Sequence, residues 1–222
     1  TQTAPTRTPA QRFVAVTFDD LPATHGDYAV MKRVTEELLK KLKAERVPAI
    51  GFVNESKIDR GLETAKRAEL LRQWLDAGHD LGNHSYSHIF IDQVSFDQYA
   101  ADVIRGETHT RALLKERNKR LVYYRHTQLR TGPDEEYKKR LASFLAGRGY
   151  TVAPVTIDNN DYIYALAYSN AKAAGNAELQ AKVAADYIRY MEQVFAHFED
   201  LSREFLGYEL RQTLLLHANE LN

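Results

Sequence analysis

The stretch Arg12-Phe13-Val14-Ala15-Val16-Thr17-Phe18-Asp19-Asp20 runs an apolar strand into two adjacent carboxylates. The same arrangement recurs along the chain. Strand patterns are expected at 12–18, 49–53, 79–82, 121–124, 150–157 and 212–216. Helical patterns lie between them, at about 29–45, 64–77, 96–118 and a segment ending near Gly147. A helical excursion at about 162–205 is expected to break near Ser169-Asn170 and Gly175-Asn176. Strands alternating with helices predict βα units and a parallel sheet, hence an α/β fold.

Polar groups cluster just after these strands: Asp19 and Asp20, His84, Arg125, Asp158 and His217. In β/α architectures the carboxyl ends of parallel strands are where sites form. His84 and His88 are four residues apart in His84-Ser85-Tyr86-Ser87-His88. On a helix their Cβ atoms would lie about 5–6 Å apart, within reach of one ion. A catalytic zinc keeps three protein ligands and one open position. Two carboxylates and two imidazoles supply one group more than that, and the extra group is free to act as a base. Imidazole and carboxylate suit zinc, and also cobalt, nickel or iron.

The 222 residues fit one α/β domain. Apolar residues make up 44%, enough for a sizeable core. Lys+Arg and Asp+Glu are both 30, with no basic stripe of the kind that duplex binding requires. A neutral substrate such as a sugar polymer suits this balance, and no nucleic acid partner is expected. With no cysteine there is no disulfide, thiolate ligand or cysteine nucleophile. No apolar run approaches the roughly 20 residues of a membrane span. Residues 1–11 are Thr/Pro-rich and read as a disordered lead-in of the kind left after a signal peptide is removed. Export, to the periplasm or the cell exterior, is the matching expectation.

Thr17-Phe18-Asp19-Asp20, Asn83-His84-Ser85-Tyr86-Ser87-His88, Tyr124-Arg125, the stretch from Asp158 to Tyr162, and Leu214-Leu215-Leu216-His217 follow one another in order. Together they resemble the polysaccharide deacetylase family, carbohydrate esterase family 4, across nearly the whole of 12–222. The resemblance implies a distorted (β/α) barrel and metal-dependent removal of acetyl groups from a glycan. It implies Asp19 as base, Asp20, His84 and His88 as metal ligands, and Arg125 as the group that orients the base. His217 resembles the general acid, with Asp161, or second to it Asp158, as its carboxylate partner. A backbone N–H, that of Gln128, is the expected oxyanion donor. His25, His126 and Tyr162 are candidates to touch substrate.

Two departures stand out. The family's third motif usually reads Arg-any-Pro-aromatic; here it is Arg125-His126-Thr127-Gln128. A proline would fix φ and shape that loop. The sequence also stops at Asn222, where family members usually continue into a helix and a closing strand, so a truncated chain or a barrel open on one side is expected.

Overall fold

The structure, a computed structural model, describes residues 12–222. Six parallel strands, β1 (Val14–Leu21), β2 (Ala49–Val53), β3 (Asp80–Asn83), β4 (Tyr123–Tyr124), β5 (Thr151–Val152) and β6 (Gln212–His217), form one sheet in the order β5-β4-β3-β2-β1-β6. The sheet curls into a half-barrel that is open and incomplete. Parallel strands covered on both faces read as near-continuous apolar runs, which is how 13–18 and 49–53 read. The proposed lead-in, 1–11, lies outside the described residues.

Helices α1 (Tyr28–Ala44), α2 (Thr64–Asp76), α3 (Phe96–Arg105), α4 (Thr108–Lys115) and α5 (Glu135–Gly147) connect successive strands. Met31, Val34, Leu38 and Leu42 on α1 face inward, as do Leu70, Leu71 and Trp74 on α2. They meet Phe18, Leu21, Val53 and Leu81 of the sheet in one apolar core. Trp74 is fully buried and packs at 5.8 Å on the Phe18 ring.

Several boundaries differ from the sequence reading. The expected helix 96–118 is two helices that part at Gly106. A Cβ there would sit 2.6 Å from the backbone of Ser85, so only glycine lets the end of α3 approach the histidine loop. The expected strand 150–157 pairs at only two residues, after which the chain crosses to the far edge, where Ile157 bridges Leu214 of β6. The excursion forms α6 (Asp161–Ala173) and α7 (Ala177–Leu206). The break falls at Gly175, in a left-handed conformation; Ser169 and Asn170 stay helical because the turns on either side remain bonded through them.

Candidate metal and acid–base site

β1 extends three residues beyond the expected end, so Asp19 and Asp20 belong to the strand's last turn of pleat. Asp20 takes a left-handed φ of 70°, and the β1–β2 register shifts between Phe18 and Leu21. This bulge turns two successive carboxylates toward the same end of the barrel, where regular pleating would send them to opposite faces.

The segment of His84 and His88 is a loop and not a helix. Ser85 and His88 are both left-handed, with φ of 64° and 57°. The loop is shaped by polar bonds: Asp102 accepts from the N–H groups of Tyr86 and Ser87, and Ser85 Oγ accepts from His88 N. The rings still converge, with centroids 4.9 Å apart. Asp20, His84 and His88 offer ligand atoms that all lie within 4.8 Å of one another. Asp20 Oδ1 is 3.6 Å from His88 Nε2 and 3.9 Å from His84 Nε2.

The residues fit a divalent cation. His84 Nδ1 lies 2.9 Å from the carbonyl of Arg125, which directs the free Nε2 into the cluster. Burial pushes His84 and His88 down to about 4, so both rings are neutral ligands near pH 7. Burial would push Asp20 up, but Lys57, His84 and His88 outweigh it and hold the carboxyl at about 2. Asp20 Oδ1 is buried with no hydrogen-bond partner, an oxygen that a cation would satisfy.

Asp19 sits beside the cluster, its Oδ2 3.7 Å from His84 Nε2 and 3.6 Å from Arg125 Nη1. Arg125 is fully buried; its Nη2 donates to Thr17 Oγ1 at 3.0 Å, which fixes the guanidinium behind the carboxylate. Burial raises Asp19 to about 6 against the pull of Arg125 and His217. Such a carboxylate is ionised at neutral pH yet basic enough to take a proton.

Asp19 is the register partner of His217 across β1 and β6, so the carboxylate and the imidazole stand on neighbouring strands at the same level. His217 Nδ1 is 2.7 Å from Asp161 Oδ1, and Asp161 Oδ2 accepts from His217 N at 2.7 Å. Burial alone would lower His217, but the Asp161 hydrogen bond and charge prevail and raise it. Asp161 is the carboxylate that reaches this ring. Asp158 is exposed, and its Oδ1 accepts from Asn159 N.

The other candidates divide. Tyr162 is 55% exposed with its ring 6.3 Å from that of His217, so an open aromatic face borders the site. His25 is exposed in the loop after β1 and lines, with Tyr162 and Leu166, a mostly apolar hollow of about 450 Å³. His126 is half-buried edge-on to Tyr124 at 5.3 Å, and burial lowers it to about 4. Gln128 is left-handed (φ 48°) with its side chain on His88.

Sequence reasoning passed over Asn54 and Lys57. Asn54 is fully buried and donates to His84 O at 2.6 Å. Lys57 Nζ donates to Asp20 O at 3.0 Å and lies 3.6 Å from Asp20 Oδ1. Asn54 follows β2 directly, where the rule that polar groups gather at strand ends applies, whereas Lys57 lies four residues past the strand at the end of a short 3-10 turn that the rule does not mark.

The site's titrations set a pH dependence. His84, His88 and His126 bind protons less tightly folded (about 4) than at the ordinary 6.5. The stability they contribute is whole above 6.5 and is lost as pH falls to 4. Asp19, raised from 3.8 to about 6, runs the other way: its contribution is whole below 3.8 and is lost as pH rises through 6. His217 titrates above this window. Three groups oppose one, so the metal-free protein is expected to lose thermal stability between pH 6.5 and 4. A melting temperature that stays flat or climbs on acidification would contradict this.

Residues 6–150 match the family model of polysaccharide deacetylase. A peptidoglycan-N-acetylglucosamine deacetylase of Bacillus cereus is 32% identical over 94 residues, 42% of this chain and 29% of that protein. The match thus spans under a third of that relative. Among solved structures, the polysaccharide deacetylase Bc1974 of Bacillus cereus superposes with a TM-score of 0.60 at 18% identity, covering 96% of this chain and 82% of the other. BA3943 of Bacillus anthracis, described as a carbohydrate esterase family 4 pseudoenzyme, gives 0.57 at 15% identity, covering 96% and 57%. These likenesses share the half-barrel, and the family model covers the stretch that carries Asp19, Asp20, His84, His88 and Arg125. The chain belongs to the polysaccharide deacetylase family.

Proposed function

We propose that this protein is a metal-dependent hydrolase that removes acetyl groups from N-acetylated glycans, peptidoglycan or chitin-like oligomers. The observation that carries the reading is the triad Asp20, His84 and His88 flanked by two differently poised groups, Asp19 and the His217–Asp161 pair. Asp20, His84 and His88 would hold the ion, zinc being the simplest choice. A bound divalent ion supplies a Lewis acid that polarises the acetyl carbonyl and acidifies the attacking water.

The chain's own residues do the rest. Asp19, held against Arg125, takes the proton from the attacking water; its unpartnered Oδ1 is the atom free to do so. The N–H of Gln128 is the proposed backbone donor to the developing oxyanion, where such donors contribute about 3–4 kcal/mol. His217 enters as the imidazolium favoured by Asp161 and donates its Nε2 proton to the departing amine. The exposed ring of Tyr162 beside His217 offers a face to a sugar. Glycans of this kind lie outside the plasma membrane, so the reading places the working protein in the periplasm or beyond. No helix among the described residues is long and apolar enough to cross a membrane.

Incubation of the zinc-loaded protein with N-acetylated chitin oligomers and peptidoglycan fragments is expected to yield products lighter by one acetyl group each, with free acetate, by mass spectrometry. Release from O-acetylated xylan alone would make the protein an O-acetyl esterase. A second reading, a glycan binder with little turnover, is favoured by Thr127 and Gln128 in place of the proline and aromatic. Zinc retention without acetate release from any of these substrates, or from an aryl acetate, would support that reading.

A further inference from the structure

We propose that Gln128 is a positioning residue for His88, and that 125–128 forms a clamp holding both imidazoles of the cluster by their Nδ1 atoms. This rests on the metal reading above. His84 Nδ1 is 2.9 Å from Arg125 O, and His88 Nδ1 is 2.9 Å from Gln128 Nε2. Only two residues of one loop, His126 and Thr127, thus separate the two anchors. The same Gln128 nitrogen donates to His88 O at 3.1 Å, so the contact also holds the left-handed backbone of His88.

An imidazole that ligates through Nε2 carries its proton on Nδ1 and needs an acceptor there. Among the described residues, Gln128 is the only hydrogen-bond partner recorded for His88 Nδ1. Its amide carries both a donor and an acceptor, and its Oε1 is buried without a partner. Turning the amide over exchanges the bond to His88 O for one from the ring N–H. The metal-free and metal-loaded rings can therefore both be served by one side chain. A phenylalanine or tryptophan at position 128 would have no in-plane acceptor to offer.

Thr127 supplies the rigidity that a proline would have given. Its Oγ1 donates to Ile89 O at 3.1 Å and lies 3.1 Å from Tyr99 OH, which in turn lies 2.8 Å from Tyr124 OH. Threonine and glutamine together therefore pin the loop to residues 88 and 89, the end of the metal loop. The altered motif exchanges a covalent restraint for a set of hydrogen bonds aimed at one ligand.

Zinc dissociation constants, measured by chelator competition, test the assignment. Gln128→Met is expected to weaken zinc binding about 10- to 100-fold, the usual cost of losing a ligand's outer partner. Gln128→Glu keeps an acceptor for the ring N–H and is expected to retain tight binding. Equal affinity of Gln128→Met and the unaltered protein, or an equal loss in both variants, overturns the proposal. Ring-nitrogen chemical shifts of His88 in the zinc-loaded unaltered protein test it without a variant: ligation through Nε2 with a protected Nδ1 proton is expected, and ligation through Nδ1 overturns it. If the unaltered protein binds no zinc, the metal reading itself falls; if it binds and Gln128→Met matches it, only the clamp does.

Discussion

Replacing Asp19 by asparagine is expected to lower acetyl release by about 10³-fold, within the 10²- to 10⁴-fold range of a positioned proton acceptor, while zinc binding stays within a few-fold of normal. The shape is unchanged, and Asp19 lies beside the Asp20–His84–His88 cluster without belonging to it. Asparagine cannot accept the proton from water, yet it still presents an oxygen toward Arg125. The two readouts separate two roles. Loss of both turnover and metal would make Asp19 a ligand. Retention of full rate would remove it from the chemistry and leave the pairing across β1 and β6 without a function. Because burial holds the carboxyl at about 6 in the metal-free protein, a cation beside it would favour ionisation and lower that value. The acid limb of the pH–rate profile is therefore expected below pH 6.

The site was largely legible because a parallel sheet translates sequence position into spatial position. An apolar run followed by a polar residue marks a strand's carboxyl end, and Asp19, His84 and His217 were placed on that rule alone. What it could not convey was the backbone between those marks. A helix was the simplest geometry for bringing His84 and His88 together, yet the chain does it with two left-handed residues and the carboxylate of Asp102. Positive φ at Ser and His has no reliable sequence signature, since neither residue is glycine. The short β4 and β5 were overestimated for a related reason. In β4 the buried Tyr124 is spent on packing, at the centre of the Tyr99–Tyr150 cluster, whereas both residues of β5 are exposed at the edge of the sheet. Likewise the altered third motif read as a loss, because hydrogen bonds from Thr127 and Gln128 to residues 88 and 89 are invisible without the fold.

The largest effect on metal binding is expected from Asp20→Ala. Zinc at 100 times its dissociation constant should stabilise the unaltered protein by about 2.7 kcal/mol, roughly 5–11 °C for a chain of this size. In Asp20→Ala that increment is expected to vanish, because two imidazoles alone leave a catalytic zinc one ligand short. The variant should also melt lower than the unaltered protein with no metal present. Lys57 is 17% exposed at its side chain and has its ammonium on Asp20 Oδ1 and O. Removing the carboxylate leaves that cation without its countercharge, at a cost on the order of 3 kcal/mol for a buried pair, less whatever water reaches Lys57 through the open side. The double variant Asp20→Ala, Lys57→Met should recover part of that metal-free loss and none of the zinc response. Calorimetry of the three proteins with and without zinc reads both effects together. A zinc increment in Asp20→Ala equal to that of the unaltered protein would mean that the ion, if it binds, binds elsewhere, and the assignment of the cluster would fail with it.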